Sequence, residues 1–539
     1  MTNAILECAP NNFKIPSCEE LRGRILLDEL ELIRRHVMAV KRSWVTTGCS
    51  ILLDGWTDHG KGRSLINFLV DSPGGPIFLR SADVSGFDKD VNAMSSLLDG
   101  VIEEVGVGNV IQVITYSTSA CMDALGKRLT AKHRSMFWTV CASHCIGLML
   151  EKIEALALTK KILDRAKIIT RFIYSHAMVL RLMRKNCGVR DVVCPSKIKS
   201  AASFLTLANI VSESKNLKSI FESFAWNTST WASTSAGKMV ADLVGESSFW
   251  TEAGMVLKAT IPLVRVLKLL NGEDGKPQVG YIYETMDQAK EAIKMEFGNK
   301  KGKYLPFWKI IDEIWDNHLH SPLHSAGYYF NPGFFYSSDF LSDAEVASGL
   351  LCCIVRMVED RNIQDLISLQ MDEYRMAKGG FGDQSAVEQR TQIPPAEWWS
   401  RYGGQCPELQ RFAIRILSQT CSGGFKYQLR RSLSEQMHTH RRNNVEQRRL
   451  SDLTFVHHNL QLQHQHHHHS SIIHRYNKDI IVRDMDAMND WVVAPDQHTC
   501  PNSSDSDWVF SDCDVVVEKD SGNPRGVVPP GFSLKQEAF

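Results

Sequence analysis

The period of the apolar positions changes several times along the chain. From Arg22 to Thr46, the residues Ile25, Leu26, Leu30, Leu32, Ile33, Val37 and Val40 recur at the spacing of one helix face, which predicts an amphipathic N-terminal helix. Gly48 to Trp56, Ser64 to Asp71 and Pro76 to Val84 are short runs rich in Ile, Leu, Val and Phe. His59-Gly60-Lys61-Gly62 and Pro73-Gly74-Gly75 separate them, so they read as a three-strand meander. Lys89 to Val105 returns to helical spacing. Asn109 to Thr115 reads as a buried strand, parallel to the first because a helix separates it from the meander. A helix around Cys121 to Ala131, a strand near Met136 to Val140 and a helix from His144 to Leu158 continue the alternation.

From Thr159 to Asp383 helical periodicity dominates, as in Ile162, Ala166, Ile169, Phe172 and Ile173. Gly379-Gly380-Phe381-Gly382-Asp383 reads as a linker. Pro394 to Leu462 is dense helix again, with Leu409, Phe412, Ala413, Ile416 and Leu417 on one face. Past Gln463 a His-rich run gives way to Asp, Ser, Pro and Gly, a composition that buries too little surface to fold alone. The expected organisation is an N-terminal segment and helix at 1–46, an α/β core at 47–158, a helical insertion at 159–383, a C-terminal helical region at 394–462 and a disordered tail at 463–539.

The chain has 539 residues, enough for two or three domains, with 43% hydrophobic and 23% charged residues, the balance of a globular protein. Lys plus Arg equals Asp plus Glu at 61 each, so no global positive field draws it to nucleic acid. Any such contact needs a local patch. The candidate is Arg430, Arg431, His438, His440, Arg441, Arg442, Arg448 and Arg449, whose competing reading is a solvated helix face. The N-terminus has no basic start followed by an apolar run, and no uninterrupted apolar stretch reaches about 18 residues, so neither secretion nor membrane spanning is expected. Fourteen scattered cysteines fit a reducing compartment. Cys141-Ala142-Ser143-His144-Cys145 approaches metal-ligand spacing without a second pair, and packing at a helix start is the reading adopted. His464 and His466 to His469 form a low-complexity run with no specific ligand expected.

Several phrases stand in order. They are Ile51-Leu52-Leu53-Asp54-Gly55-Trp56-Thr57-Asp58 with Ser64-Leu65-Ile66-Asn67-Phe68; Cys141 to Ile146; Phe204-Leu205-Thr206-Leu207; Pro322 to Tyr329; Pro395-Ala396-Glu397-Trp398-Trp399; Leu409 to Gln419; and Arg448 to Leu460. From about Lys14 to Leu462 the chain thus resembles plant hAT-superfamily transposase-like proteins, with an RNase H-like domain of the DUF659 type and a hAT C-terminal dimerisation region. The resemblance implies an RNase H-like α/β core interrupted by a large all-α insertion. The family's BED zinc finger is expected to be missing, since only Cys8 and Cys18 precede the helix, with no His partner.

An active member of that family holds two divalent ions about 4 Å apart on three carboxylates. Asp54 stands at the first position, but the second falls on Tyr116 in Ile114-Thr115-Tyr116-Ser117-Thr118. The segment Cys421 to Ser432 that should carry the third has no acid, and Glu435 downstream is expected to face another direction. Lys199-Ser200 stands in place of the family's Arg-aromatic element. The expectation is a catalytically inactive, transposase-derived nuclear protein, with Asp54 a relic that caps a turn or pairs with a neighbour. It would act as a homodimer or a heterodimer with related proteins, with DNA or chromatin as a further partner, and without cofactor, metal or small-molecule substrate. The expected interface residues are Trp398, Trp399, Leu409, Phe412, Ile416 and Leu417, an ordinary core position being the competing reading for the two tryptophans. The alternatives are a degenerate transposon copy without a retained role, and a live nuclease using Asp54, Asp58 and either Glu435 or Glu397.

Overall fold

The structure is a computed structural model that describes residues 16–58, 62–186, 191–193, 199–271, 278–438 and 444–472. Cys8 and the stretch 473–539 lie outside them, as do Arg441 and Arg442. The apolar stripe at the N-terminus folds as helix α1 (Leu26–Thr47), burying Leu30, Ile33, Val37, Val40 and Trp44. Gly48, at φ 65°, ends it and turns the chain straight into strand β1 (Cys49–Asp58); a side chain there would meet Ile111. Strands β2 (Arg63–Asp71) and β3 (Ile77–Asp83) complete the meander. Helix α2 (Val91–Val105) starts where the Asp90 carboxylate accepts from the Asn92 and Ala93 amides. Strand β4 (Val110–Thr115), helix α3 (Ala120–Lys132), strand β5 (Phe137–Val140) and helix α4 (Ala142–Glu154) follow, each within a few residues of its expected span.

The strand order is β3-β2-β1-β4-β5. β1 is antiparallel to β2 and parallel to β4, and β4 is parallel to β5, so the expected three-plus-two arrangement holds. Alternation along β1 sends Cys49, Ile51 and Leu53 to one face, where α1, α2 and α3 cover them. Ser50, Leu52, Asp54 and Trp56 therefore share the other face.

That second face is covered by the far end of the chain. Between the two ends lies the helical region, which includes α5 (Ala344–Met357) and α6 (Arg361–Arg375). After it come α7 (Pro395–Tyr402), α8 (Pro407–Leu417), α9 (Arg431–Met437) and α10 (Asn444–Ile472). α10 lies on α1 and β3, and Asn459 clips it there by accepting from the Phe78 amide and donating to the Phe78 carbonyl, both at 3.0 Å.

Two expected boundaries are not seams. A single buried cluster runs from Ile111 and Phe137 through the helical region to Cys421, so no break falls at 158. The glycine-rich stretch read as a linker is a 3-10 turn, Gly379–Gly382, whose Phe381 is fully buried and stacks on Trp398 at 5.8 Å. Glycines there supply close backbone approach, not length: a side chain on Gly382 would strike the Ala377 carbonyl. α10 also runs to Ile472, past the expected start of the tail at 463. No helix among the described residues is long and apolar enough to cross a membrane.

Candidate functional site

The even-numbered positions of β1 from Ser50 to Trp56 each meet a residue of the C-terminal segment. Ser50 Oγ donates to Gln419 Oε1 at 2.8 Å, and Leu52 packs with Leu429 and Leu462. At Asp54, a Cβ placed on Gly424 would lie 3.1 Å from the aspartate Cβ, so the backbone of the C-terminal loop passes directly over the strand. Arg431 Nη2 reaches Asp54 Oδ1 at 3.4 Å, and Trp56 Nε1 donates to Glu435 Oε1 at 3.3 Å. Arg431 and Glu435 are one turn apart on α9, which is why one short helix serves both.

Asp54 is 2% exposed. Burial pushes its carboxyl above the usual carboxylate range, and the Arg431 guanidinium and the Asn67 amide pull it part of the way back. Asn67 lies directly opposite in the β1–β2 ladder, and its Oδ1 accepts from Ser434 Oγ at 3.1 Å, a second tie between α9 and the sheet. The Arg431 guanidinium also sits 5.2 Å from the centre of the Trp56 ring. Its side chain is about half exposed, so the ion pair is buried on the acid side alone.

Tyr116 does not join Asp54. Its ring lies flat against Gly55, where a Cβ would come within 2.1 Å of it, and it packs with the core beneath α1, α2 and α3. Gly55 points opposite to Asp54 along the strand, so the phenol fills the reverse face. Burial, then the nearby Cys121 and Asp88, push the phenol up to about 12, and it stays neutral at physiological pH. Where a third acid was sought, Lys426 is found instead: its Nζ lies 3.0 Å from Asp71 Oδ2, both side chains being largely buried, and pins the loop to the end of β2.

Glu435 corrects the sequence reading, because the fold turns it toward the Asp54 face through its bond to Trp56. The signal available was the Arg431/Glu435 spacing, which puts the two on one side of a helix. Glu397 pairs with Arg401 on α7, and Asp58 ends β1 opposite Arg63. Among the described residues, no three His, Cys, Asp or Glu side chains are grouped so as to hold a metal ion.

The cysteine phrase lies at the seam between α4 and the C-terminal loop. Cys141 Sγ accepts from the Gly423 amide at 2.9 Å, the Ala142 amide donates to the Cys421 carbonyl at 2.9 Å, and Cys141, Cys145 and Cys421 are all buried. Of the basic cluster, Arg430, Arg431, Arg448 and Arg449 are exposed, Arg431 being held by Asp54.

The six residues expected at a partner interface are interior to the chain. Trp398 and Trp399 have no exposed surface, and their indole nitrogens donate to the carbonyls of Ala386 and Phe330 at 2.9 and 2.8 Å. Leu409, Phe412, Ile416 and Leu417 are also buried, Phe412 lying edge-on to Phe330 at 5.8 Å. Their apolar surface is already covered by the helical region, so they have none to offer a second chain.

Two family models match. A domain of unknown function, DUF659, matches residues 16–169, and the hAT family C-terminal dimerisation region matches residues 370–460. No curated protein matches the chain. The first match holds β1 with Asp54, and the second holds the loop and helix that cover it. Over these two stretches the chain is similar to transposase-like proteins of the hAT superfamily.

Proposed function

We propose that this chain is a catalytically inactive, transposase-derived protein that works by dimerising and by contacting DNA or chromatin in the nucleus. The observation that carries the reading is the state of Asp54, a buried carboxylate capped by the Arg431 guanidinium and covered by the Gly424 backbone. Two-metal DNA cleavage needs several carboxylates converging on a common pair of cations. Here an RNase H-like sheet offers one such carboxylate beside a fixed positive charge, with a neutral phenol turned to the opposite face and a lysine in the loop that should bring the third. This donor set does not fit a divalent ion pair.

A live nuclease has one observation in its favour, the arrival of Glu435 beside Trp56 on the same face. Against it, Arg431 occupies the Asp54 carboxylate that a metal would need. The match to a dimerisation region supports association, and the exposed Arg430, Arg448 and Arg449 supply positive charges that could meet phosphates on an otherwise neutral chain.

The test is to incubate the purified full chain with end-labelled duplex and supercoiled DNA in magnesium or manganese. The expected result is no cleavage or strand joining. Cleavage that disappears in Asp54→Asn would overturn the reading. A chain that is monomeric and binds no DNA would instead favour a degenerate copy without a role.

A further inference from the structure

A folded surface scatters its exposed large hydrophobic side chains singly, and a concentration of them marks a contact that the free chain leaves open. Among the described residues, seven of the twenty such side chains fall between Leu341 and Met376. α5 buries Val346, Leu350, Cys353 and Ile354 against its own chain. Its outward stripe is Ala344, Ala347, Ser348, Leu351 and Val355, all exposed, with Leu351 61% and Val355 58% accessible. A surface helix ordinarily carries charge there, and this stripe carries none. The charged side chains Glu345 and Arg356 are turned to other tasks, Glu345 pairing with His320 and Arg356 donating to the carbonyls of Arg134 and Met136. The next helix, α6, buries Ile367, Met371 and Tyr374 and exposes Leu366 and Leu369, with Met376 just past its end.

We propose that these stripes on α5 and α6 form the face through which two copies of this chain associate. The inference rests on the dimerising reading above and supplies its surface. The match to the dimerisation region begins at residue 370, inside α6 and directly after Leu369, so the exposed apolar stretch adjoins the matched region along the chain. Within that region the large apolar groups around Trp398, Trp399 and Phe412 are consumed by the chain's own core, whereas the stretch over α5 and α6 carries the largest group of exposed large apolar side chains along the described sequence. α6 is joined rigidly to α8, because the Gln370 side chain donates to Glu408 and accepts from the Leu409 amide at 2.9 Å. A two-fold axis needs only one such patch, since the same stripe then serves both partners.

The experiment compares the full chain with L351E/L369E and with F224E by light scattering over a dilution series. Phe224, 83% exposed, lies outside the stretch and serves as the control for any added charge. The wild type and F224E are expected to dimerise. The double variant should keep the wild-type circular dichroism spectrum, with a dissociation constant raised on the order of 100-fold, as for two lost central anchors. A wild-type dimer that persists unchanged in the double variant overturns this surface and leaves the dimerising reading standing; a monomeric wild type overturns both. Equal loss in F224E overturns the surface as well. Should the double variant misfold, hydrogen exchange of the wild type decides: slower exchange over 344–376 in the dimer than in the diluted monomer supports the proposal, and equal exchange overturns it.

Discussion

Arg431 meets Asp54 across 377 residues of sequence, its Nη2 3.4 Å from the carboxylate Oδ1. A half-exposed cation thus caps an acid that the sheet has removed from water. Arg431→Ala leaves that acid buried with a weaker set of partners. It should destabilise the chain by about 1–2 kcal/mol near pH 7, less than a fully buried pair because solvent screens the guanidinium. Urea unfolding measures the loss, and a cycle with Asp54→Asn should recover much of it. An additive cycle would mean that the pair is not coupled.

Gly55 and Tyr116 make a second close contact. Gly55→Ala places a methyl within 2.1 Å of the ring, which has to leave its packed position to make room, and should cost about 1–3 kcal/mol. Combining it with Tyr116→Ala should remove the clash, so the double variant is expected to lose less than the sum of the singles. The midpoints of thermal or urea unfolding read this directly.

Trp399 tests whether the C-terminal aromatics are core or interface. With its indole hydrogen-bonded to the Phe330 carbonyl and no exposed surface, Trp399→Ala should cost about 3–5 kcal/mol of folding stability. A variant with unchanged melting and weakened association would contradict the interior placement.

Two buried histidines set a pH dependence. Burial, then His457, lowers His458 to about 4; burial, then His320, lowers His324 to about 3. Both take up protons more readily in the unfolded chain, near pH 6.5, than in the folded one. Stability from these groups is therefore full above about pH 6.5 and falls as the pH drops toward 4. Asp54, whose carboxyl is raised, works in the opposite sense. Urea midpoints at pH 7 and pH 5 should differ, and His458→Asn should narrow the gap; an unchanged gap would assign it to other groups.

Arg448 and Arg449 are exposed on α10. If they touch phosphates, replacing both with Ala should weaken DNA binding about equally across sequences. The slope of log affinity against log salt should fall by roughly one per lost contact. An unchanged slope would return them to an ordinary solvated face.

The β-core was legible because its signals are local. The strand expected at Asn109 to Thr115 is observed at Val110–Thr115, and the three short apolar runs became the meander, since alternation and turn residues act over a few positions. The glycine-rich stretch near 380 misled for the same reason. Its glycines resemble those of a linker until Phe381 is seen stacked on Trp398, a neighbour that no short window contains.

By itself, the sequence determined where the strands lie, that Asp54 belongs to the first of them, and that Tyr116 and Lys426 stand where acids were sought. It carried those facts because hydrophobic period and residue chemistry need no partner to be read. That the strand runs on to Asp58 and leaves Asp54 in its interior came only with the structure. Tertiary structure alone decided what each residue meets: Arg431 and Glu435 on the Asp54 face, the phenol on the other, Trp398 and Trp399 inside, Leu351 and Leu369 outside. Periodicity says which face of an element is apolar. The packing of segments hundreds of residues apart decides whether that face is covered by the same chain or left open to another.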